Sequence, residues 1–114
     1  MLTIDDLKRF GADTEAALAR CMQNETFYLT LVGKALNDNS MEKLENAVGR
    51  GDLNEAFEIA HSLKGIFGNL SLTPLYEDIA EITELLRNKT QTDYTPYLCS
   101  ASEKFNRLRE FNRS

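Results

Sequence analysis

The chain has 114 residues, of which 42% are hydrophobic and 27% charged, and its formal net charge is −5. This length and composition predict one globular domain over residues 1–114. The negative charge argues against a nucleic-acid-binding face, which would be basic, and against attraction to an anionic membrane. No apolar run approaches the roughly 20 residues that cross a bilayer, and the polar start MLTIDDLKRF is not a signal peptide. We therefore expect a cytoplasmic protein with neither nucleic acid nor membrane as partner.

The chain contains two cysteines, Cys21 and Cys99. Without a secretion signal the reduced state is favoured, so both are predicted to be free thiols with a packing role. The sole histidine, His61, has no second histidine and no cysteine at ligand spacing. The sequence therefore predicts no metal site and no cofactor of its own.

Helical periodicity is present from the N-terminus onward. Thr3 is predicted to cap a short helix that Gly11 interrupts, and a second short helix is predicted from Glu15 to Met22. Asn24 is a plausible cap for a longer helix. That helix is rich in apolar residues, namely Phe27, Tyr28, Leu29, Leu31, Val32, Ala35 and Leu36.

The polar run 37–40 is expected to break or kink this helix, and the apolar pattern resumes over 41–48. Asp52 with Glu55 indicates the start of the next helix, which is predicted from Leu53 to about Leu70. Its apolar stripe consists of Ala56, Ile59, Ala60, Leu63, Phe67 and Leu70.

Two Thr-Pro pairs predict the last two helix starts. Thr73 is predicted to cap a helix that reaches Arg87, with apolar residues recurring every three to four positions. Thr95 opens the final helix. The sequence thus predicts four long helices joined by short connectors, with one or two short helices before them. Since short connectors make consecutive helices antiparallel neighbours, the predicted fold is all-α: an up-down antiparallel four-helix bundle with one or two short N-terminal helices.

His61 lies in the helix predicted over 53–70, and Lys64, Gly65 and Gly68 follow it on the same helix face. This face lies beside the apolar stripe, so His61 is expected to be at least partly exposed. A lone histidine on a helix is usually structural. The two glycines favour a functional interpretation, because each costs about 1 kcal/mol relative to alanine inside a helix.

Two explanations of these glycines remain open: close packing of another helix, or access for a partner whose backbone or phosphate must reach the imidazole. Lys64, one turn after His61, places an ammonium where a phosphoryl group on the imidazole would lie.

The string HSLKG over 61–65, followed by Gly68, resembles the histidine phosphotransfer domains of bacterial two-component phosphorelays and the phosphoacceptor domain of chemotaxis kinases. The pattern of that family is a histidine, an apolar residue two positions on, lysine three on, glycine four on and a small residue seven on. His61, Leu63, Lys64, Gly65 and Gly68 fit it. The resemblance covers most of the chain.

Two positions depart from the pattern. Ser71 stands where the family often has glycine, and Thr83 stands where it often has Gln or Glu in contact with the imidazole. The threonine side chain is shorter than that of Gln or Glu. The resemblance therefore implies that Thr83 contacts the His61 ring by way of a bridging water. Thr83 and Arg87 are expected on a second stripe beside the apolar one, as supporting residues, with Arg87 adding positive potential near the phosphate.

The resemblance implies reversible transfer of a phosphoryl group between an aspartyl phosphate and Nε2 of His61, with Lys64 compensating the charge. The implied partner is the receiver domain of a response regulator or a hybrid histidine kinase, which supplies Mg²⁺. Phe57 and Ile66 are expected to help the receiver dock. Because the sequence has no Gly-rich nucleotide loop, we expect a phosphoryl carrier without its own kinase activity. We also expect a monomer, and a free-standing protein rather than an excised domain.

Two other functions are compatible with the same bundle. One is a helical adaptor that binds signalling partners without being phosphorylated. The other is a small enzyme that uses His61 as a general base, which would require a pocket and an orienting carboxylate that the sequence does not indicate.

Overall fold

The computed structural model describes residues 1–113, so Ser114, the last residue of the predicted domain, lies outside the described residues. Within them the chain forms seven helices and no strand. These are α1 (Ile4–Phe10), α2 (Thr14–Arg20), α3 (Glu25–Asn37), α4 (Ser40–Gly49), α5 (Leu53–Asn69), α6 (Thr73–Arg87) and α7 (Thr95–Arg113). None of the seven combines the length and the apolar character that a bilayer-spanning helix requires.

Three helices begin at the side-chain caps that the sequence predicts. Thr3 and Asp6 form a reciprocal capping box, in which each side chain accepts the other residue's backbone N–H at 3.1 Å. Asn24 accepts a backbone N–H three residues on at 3.0 Å, and so does Asp52. Each cap satisfies an N–H that the first helical turn leaves free and contributes about 1 kcal/mol.

The start of α6 differs from the prediction. Thr73 lies inside the helix, and the capping position is Leu72, which provides no side-chain hydrogen bond. Ser71 adopts a left-handed conformation with φ of 55°, and Leu72 is fully buried. Packing of Leu72 therefore takes the place of a polar cap at this start. Pro74 lies in the first turn, where the missing N–H removes no helical hydrogen bond.

The polar run 37–40 breaks the helix rather than kinking it. Asp38 is extended, with ψ of 144°. Its Oδ1 accepts both the backbone N–H of Ser40 at 2.8 Å and the Ser40 hydroxyl at 2.6 Å. Such local side-chain bonds compete with helical ones, and α3 and α4 are consequently separate helices.

Helices α4 to α7 form the bundle, each packed against the next along the chain. The short connectors make successive helices antiparallel. The Ser102 hydroxyl of α7 donates to Glu45 of α4 at 2.6 Å, and α7 also packs against α3. Asp78 of α6 accepts from Ser100 and from the Lys104 ammonium of α7, both at 2.8 Å. The predicted all-α helical bundle is confirmed. Three helices, α1, α2 and α3, precede α4 instead of the predicted one or two, because the run 37–40 divides the helix predicted from Asn24.

Each bundle helix contributes one apolar face to the core. Burial of a large aliphatic side chain stabilises the fold by roughly 1.5–3 kcal/mol. The buried residues of the bundle helices include Met41, Leu44 and Ala47 in α4, Ala56, Ala60, Leu63 and Phe67 in α5, Leu75, Ile79, Ile82 and Leu86 in α6, and Ala101, Phe105 and Leu108 in α7.

Both cysteines are free thiols. Cys21 is buried, whereas Cys99 is exposed. The packing role that the sequence predicts for both residues therefore holds only for Cys21.

Candidate functional site

The site is the outward face of α5. His61 lies near the middle of this helix and its side chain is exposed, as the sequence predicts, because the neighbouring positions 60 and 63 carry the core contacts. Among residues 1–113 no side-chain hydrogen bond or ion pair involves the imidazole. Both ring nitrogens are therefore available to a ligand or partner.

One face of the imidazole is covered by an aromatic ring. Phe57, one turn earlier on α5, stacks on His61 with ring centroids 5.8 Å apart and an angle of 21° between the ring planes. The Phe57 side chain is half-buried. Phe57 was expected only to help a receiver dock, although its spacing of four positions from His61 already indicates a possible contact on a helix.

Arg87, in the last turn of α6, reaches the site through Phe57. Its guanidinium carbon lies 5.3 Å from the centroid of the Phe57 ring, within cation–π range. Its Nε is 3.3 Å from Oε1 of Glu84. Arg87 therefore belongs to this part of the surface, and its described contacts are with Phe57 and Glu84.

Lys64 lies one turn after His61 and is half-buried. Within the described part of the chain its ammonium takes part in no ion pair and no side-chain hydrogen bond. A half-buried lysine without an internal partner can donate to an anion bound beside the imidazole.

The two glycines of the face have different surroundings. A Cβ added to Gly65 would meet no atom within 4 Å, so this position is open. A Cβ added to Gly68 would lie 3.1 Å from Cε1 of Tyr76 on α6. Of the two explanations offered by the sequence, open access therefore fits Gly65 and helix packing fits Gly68.

Thr83 does not lie on the surface beside the apolar stripe, as predicted. It is fully buried, with 0% of its side chain exposed, and its Oγ1 donates to the carbonyl oxygen of Ile79 at 2.7 Å. The second stripe of α6 was predicted to lie beside the core, but at position 83 it is part of the core. Its hydroxyl proton is used inside α6, and the structure shows no hydrogen bond between Thr83 and His61 among the described residues.

A groove of about 350 Å³ lies at the end of α5 that precedes His61. Phe57, Arg87 and Lys89 contribute to its lining, and His61 does not. Within residues 1–113, no group of three or more His, Cys, Asp or Glu side chains is arranged to hold a metal ion. The described arrangement suits a reaction on an exposed imidazole with cations nearby.

Comparison with known protein families gives a match over most of the chain. The family model described as Hpt domain matches residues 34–110, a segment that contains all of α4, α5 and α6 and most of α7. No curated protein and no solved structure matches the chain significantly.

Proposed function

This chain belongs to the Hpt domain family, and on that premise we propose that His61 accepts and donates a phosphoryl group, exchanging it with an aspartate of a receiver domain in a two-component phosphorelay. Histidine phosphotransfer in two-component signalling is what this family does. The observation that carries the proposal is the exposed His61 imidazole, free at both nitrogens and one turn from an ammonium without an ion pair.

The transfer step follows from the chemistry of the imidazole. In the neutral ring one nitrogen carries the proton and the other has a free lone pair. Nε2 of His61 attacks the phosphorus of the receiver's aspartyl phosphate. The Nε2–P bond forms as the bond between phosphorus and the aspartyl oxygen breaks, and the aspartate leaves as a carboxylate. The proton on Nδ1 stays in place, and the reverse transfer uses the same bonds in the opposite order.

Charge compensation is the second requirement of the step. Phosphoryl transfer depends mainly on in-line positioning and on stabilising the charge of the phosphoryl oxygens. Lys64 supplies a flexible point charge one helical turn from His61. We propose that the receiver contributes Mg²⁺ and the acidic pocket, and that this chain contributes the imidazole and the Lys64 ammonium.

Docking of a second protein requires an unobstructed surface. Gly65 provides one, since no side chain lies within 4 Å of the place that its Cβ would occupy. The half-buried apolar side chain of Ile66, next to Gly65, offers contact area to the receiver.

The test is incubation of the purified protein with receivers that carry radiolabelled aspartyl phosphate. We expect label on the wild type that is acid-labile and base-stable, and none on His61→Gln. Ser62→Ala is the matched control and should be labelled like the wild type, because Ser62 is the exposed neighbour without a role in the proposal. Absence of label with a broad panel of phosphorylated receivers would refute the proposal, and receiver binding without label would favour the adaptor function.

A further inference from the structure

We infer that Phe57, together with Arg87, is the positioning device for the His61 imidazole. In this inference, which rests on the proposed function, the ring stack along α5 sets the orientation in which Nε2 meets the receiver's phosphoryl group. The two side chains act through His61 and do not contact the phosphoryl group themselves.

The stack on Phe57 is the restraint on the His61 ring among the described residues. An exposed side chain on a helix samples more than one staggered rotamer unless a contact selects one. No side-chain hydrogen bond in residues 1–113 involves the imidazole, and the hydroxyl of Thr83 donates to Ile79 within α6. The interaction that the structure does provide is the stack on Phe57, at 5.8 Å and 21°.

A stacked neighbour suits an imidazole that acts as a nucleophile. The lone pair of an imidazole nitrogen lies in the plane of the ring, whereas a stacked partner covers only a face. Phe57 therefore restrains rotation of His61 and leaves the edge with Nε2 open to in-line attack. A hydrogen bond to a ring nitrogen would occupy one of the two nitrogens, and the stack leaves both free.

Phe57 is itself held in place by a contact from α6. Its ring is half-buried and lies under the guanidinium of Arg87 at 5.3 Å. Arg87 is oriented in turn by Glu84, with Nε and Oε1 3.3 Å apart. The orientation of the imidazole thus depends on contacts from α6 as well as α5.

The experiment combines NMR with transfer kinetics. His61 is the only histidine in the chain, so its ring resonances are unambiguous. In Phe57→Leu the ring-current effect of the phenyl group disappears, and the imidazole C–H resonances should move downfield. The maximal transfer rate should fall about three- to tenfold, the range that an aromatic contact supports. The half-saturating receiver concentration should stay constant.

Phe57→Tyr retains the aromatic ring and should keep both the resonances and the rate of the wild type. The matched control is Phe27→Leu, the same substitution at an exposed aromatic residue of α3 that has no ring contact with His61, and it should change neither readout. Unchanged resonances and an unchanged maximal rate in Phe57→Leu would overturn the inference. So would a change confined to the half-saturating concentration, which would make Phe57 a docking residue.

Arg87 is tested in a double-mutant cycle. Arg87→Gln as a single substitution should slow phosphoryl transfer. Added to Phe57→Leu, it should cause no further decrease in the rate. A further loss there would show that Arg87 acts directly on the phosphoryl charge, against the inference. A wild type that accepts no phosphoryl group refutes the proposed function instead, and the resonances still report separately whether Phe57 orients the ring.

Discussion

The hydroxyl of Tyr28 donates a hydrogen bond of 2.7 Å to the carbonyl oxygen of Leu70, so a side chain of α3 holds the end of the helix that carries His61. Both residues are buried. The last carbonyls of a helix have no partner inside that helix. Arg20 of α2 serves a second one, donating to the carbonyl of Asn69 at 2.7 Å.

Replacing Tyr28 by phenylalanine should lower the free energy of unfolding by about 1–3 kcal/mol, because the buried carbonyl of Leu70 loses its partner. Urea denaturation with an unchanged m-value would measure this. Tyr97→Phe is the matched control: Tyr97 is half-buried and its hydroxyl takes part in no hydrogen bond among the described residues. A Tyr28→Phe protein as stable as the control would contradict the expectation.

The same tyrosine predicts a loss of stability at alkaline pH. The pKa of Tyr28 is raised to about 12, mainly by burial and also by the nearby Cys21, while the Arg20 guanidinium acts in the opposite direction. In the unfolded chain the pKa of a tyrosine is about 10. Since the folded value is the higher one, the stabilising contribution is complete below pH of about 10 and is lost as the pH rises towards about 12.

The unfolding free energies of wild type and Tyr28→Phe, measured from pH 8 upward, separate this residue from the other alkaline titrations. The difference between the two proteins should stay constant up to pH of about 10 and shrink above it. A difference that stays constant throughout would show that Tyr28 ionises with the same pKa in the folded and unfolded states.

Alanine substitutions at the two glycines of the site should have different effects on stability. Gly65→Ala should stabilise the protein by up to about 1 kcal/mol, because the new methyl group meets open space and alanine is the better helix former. Gly68→Ala should gain less or become destabilising, since its Cβ would lie 3.1 Å from the Tyr76 ring. Thermal denaturation measures the stabilities of the two variants relative to the wild type. Equal gains in stability would show that the Tyr76 ring moves aside without an energetic cost.

Access at Gly65 is tested by a larger side chain. Gly65→Leu should be at least as stable as the wild type and should no longer exchange phosphate with a receiver, because its side chain would stand in the open space beside His61. Label transfer and a melting curve on the same preparation measure both. Transfer at the wild-type rate would show that the receiver does not approach across this face.

Lys64→Ala should slow phosphoryl transfer by about tenfold or more, as expected for loss of a charged hydrogen bond to phosphate. Its unfolding free energy should stay within about 0.5 kcal/mol of the wild type, because Lys64 forms no ion pair or side-chain hydrogen bond in residues 1–113. Lys34→Ala, at an exposed position of α3, should alter neither quantity. A normal rate in Lys64→Ala would remove the assigned role.

Features that depend on residues three or four positions apart could be predicted from the sequence. The caps Thr3, Asn24 and Asp52 belong to this class, as does the outward direction of His61. Contacts between helices could not be predicted from the sequence in this way. The meeting of Gly68 with Tyr76, and of Phe57 with Arg87, depends on how far α6 is shifted along α5, and no local pattern determines that shift.

Thr83 and Leu72 show why two local predictions were wrong. A threonine is usually predicted to lie on the surface. The hydroxyl of Thr83 donates a hydrogen bond to the carbonyl oxygen four positions earlier, which removes much of the cost of its burial. At the start of α6, the polar Thr73 was the obvious cap. The left-handed turn at Ser71 ends α5 locally, with backbone hydrogen bonds from Ser71 to Gly68 at 3.1 Å and from Leu72 to Phe67 at 3.0 Å. Burial of Leu72, which is a tertiary contact, goes with a start of α6 one residue away from the predicted one.

The first two helices have a consequence for how small the protein can be made. Leu7, Phe10 and Ala17 are buried in the same cluster as the bundle residues, yet all three precede residue 34, where the family match begins. A chain trimmed to the matched segment would expose that apolar surface and free the last turn of α5 to fray. A fragment that keeps these contacts with the end of α5 and covers the apolar surface therefore extends back to α1.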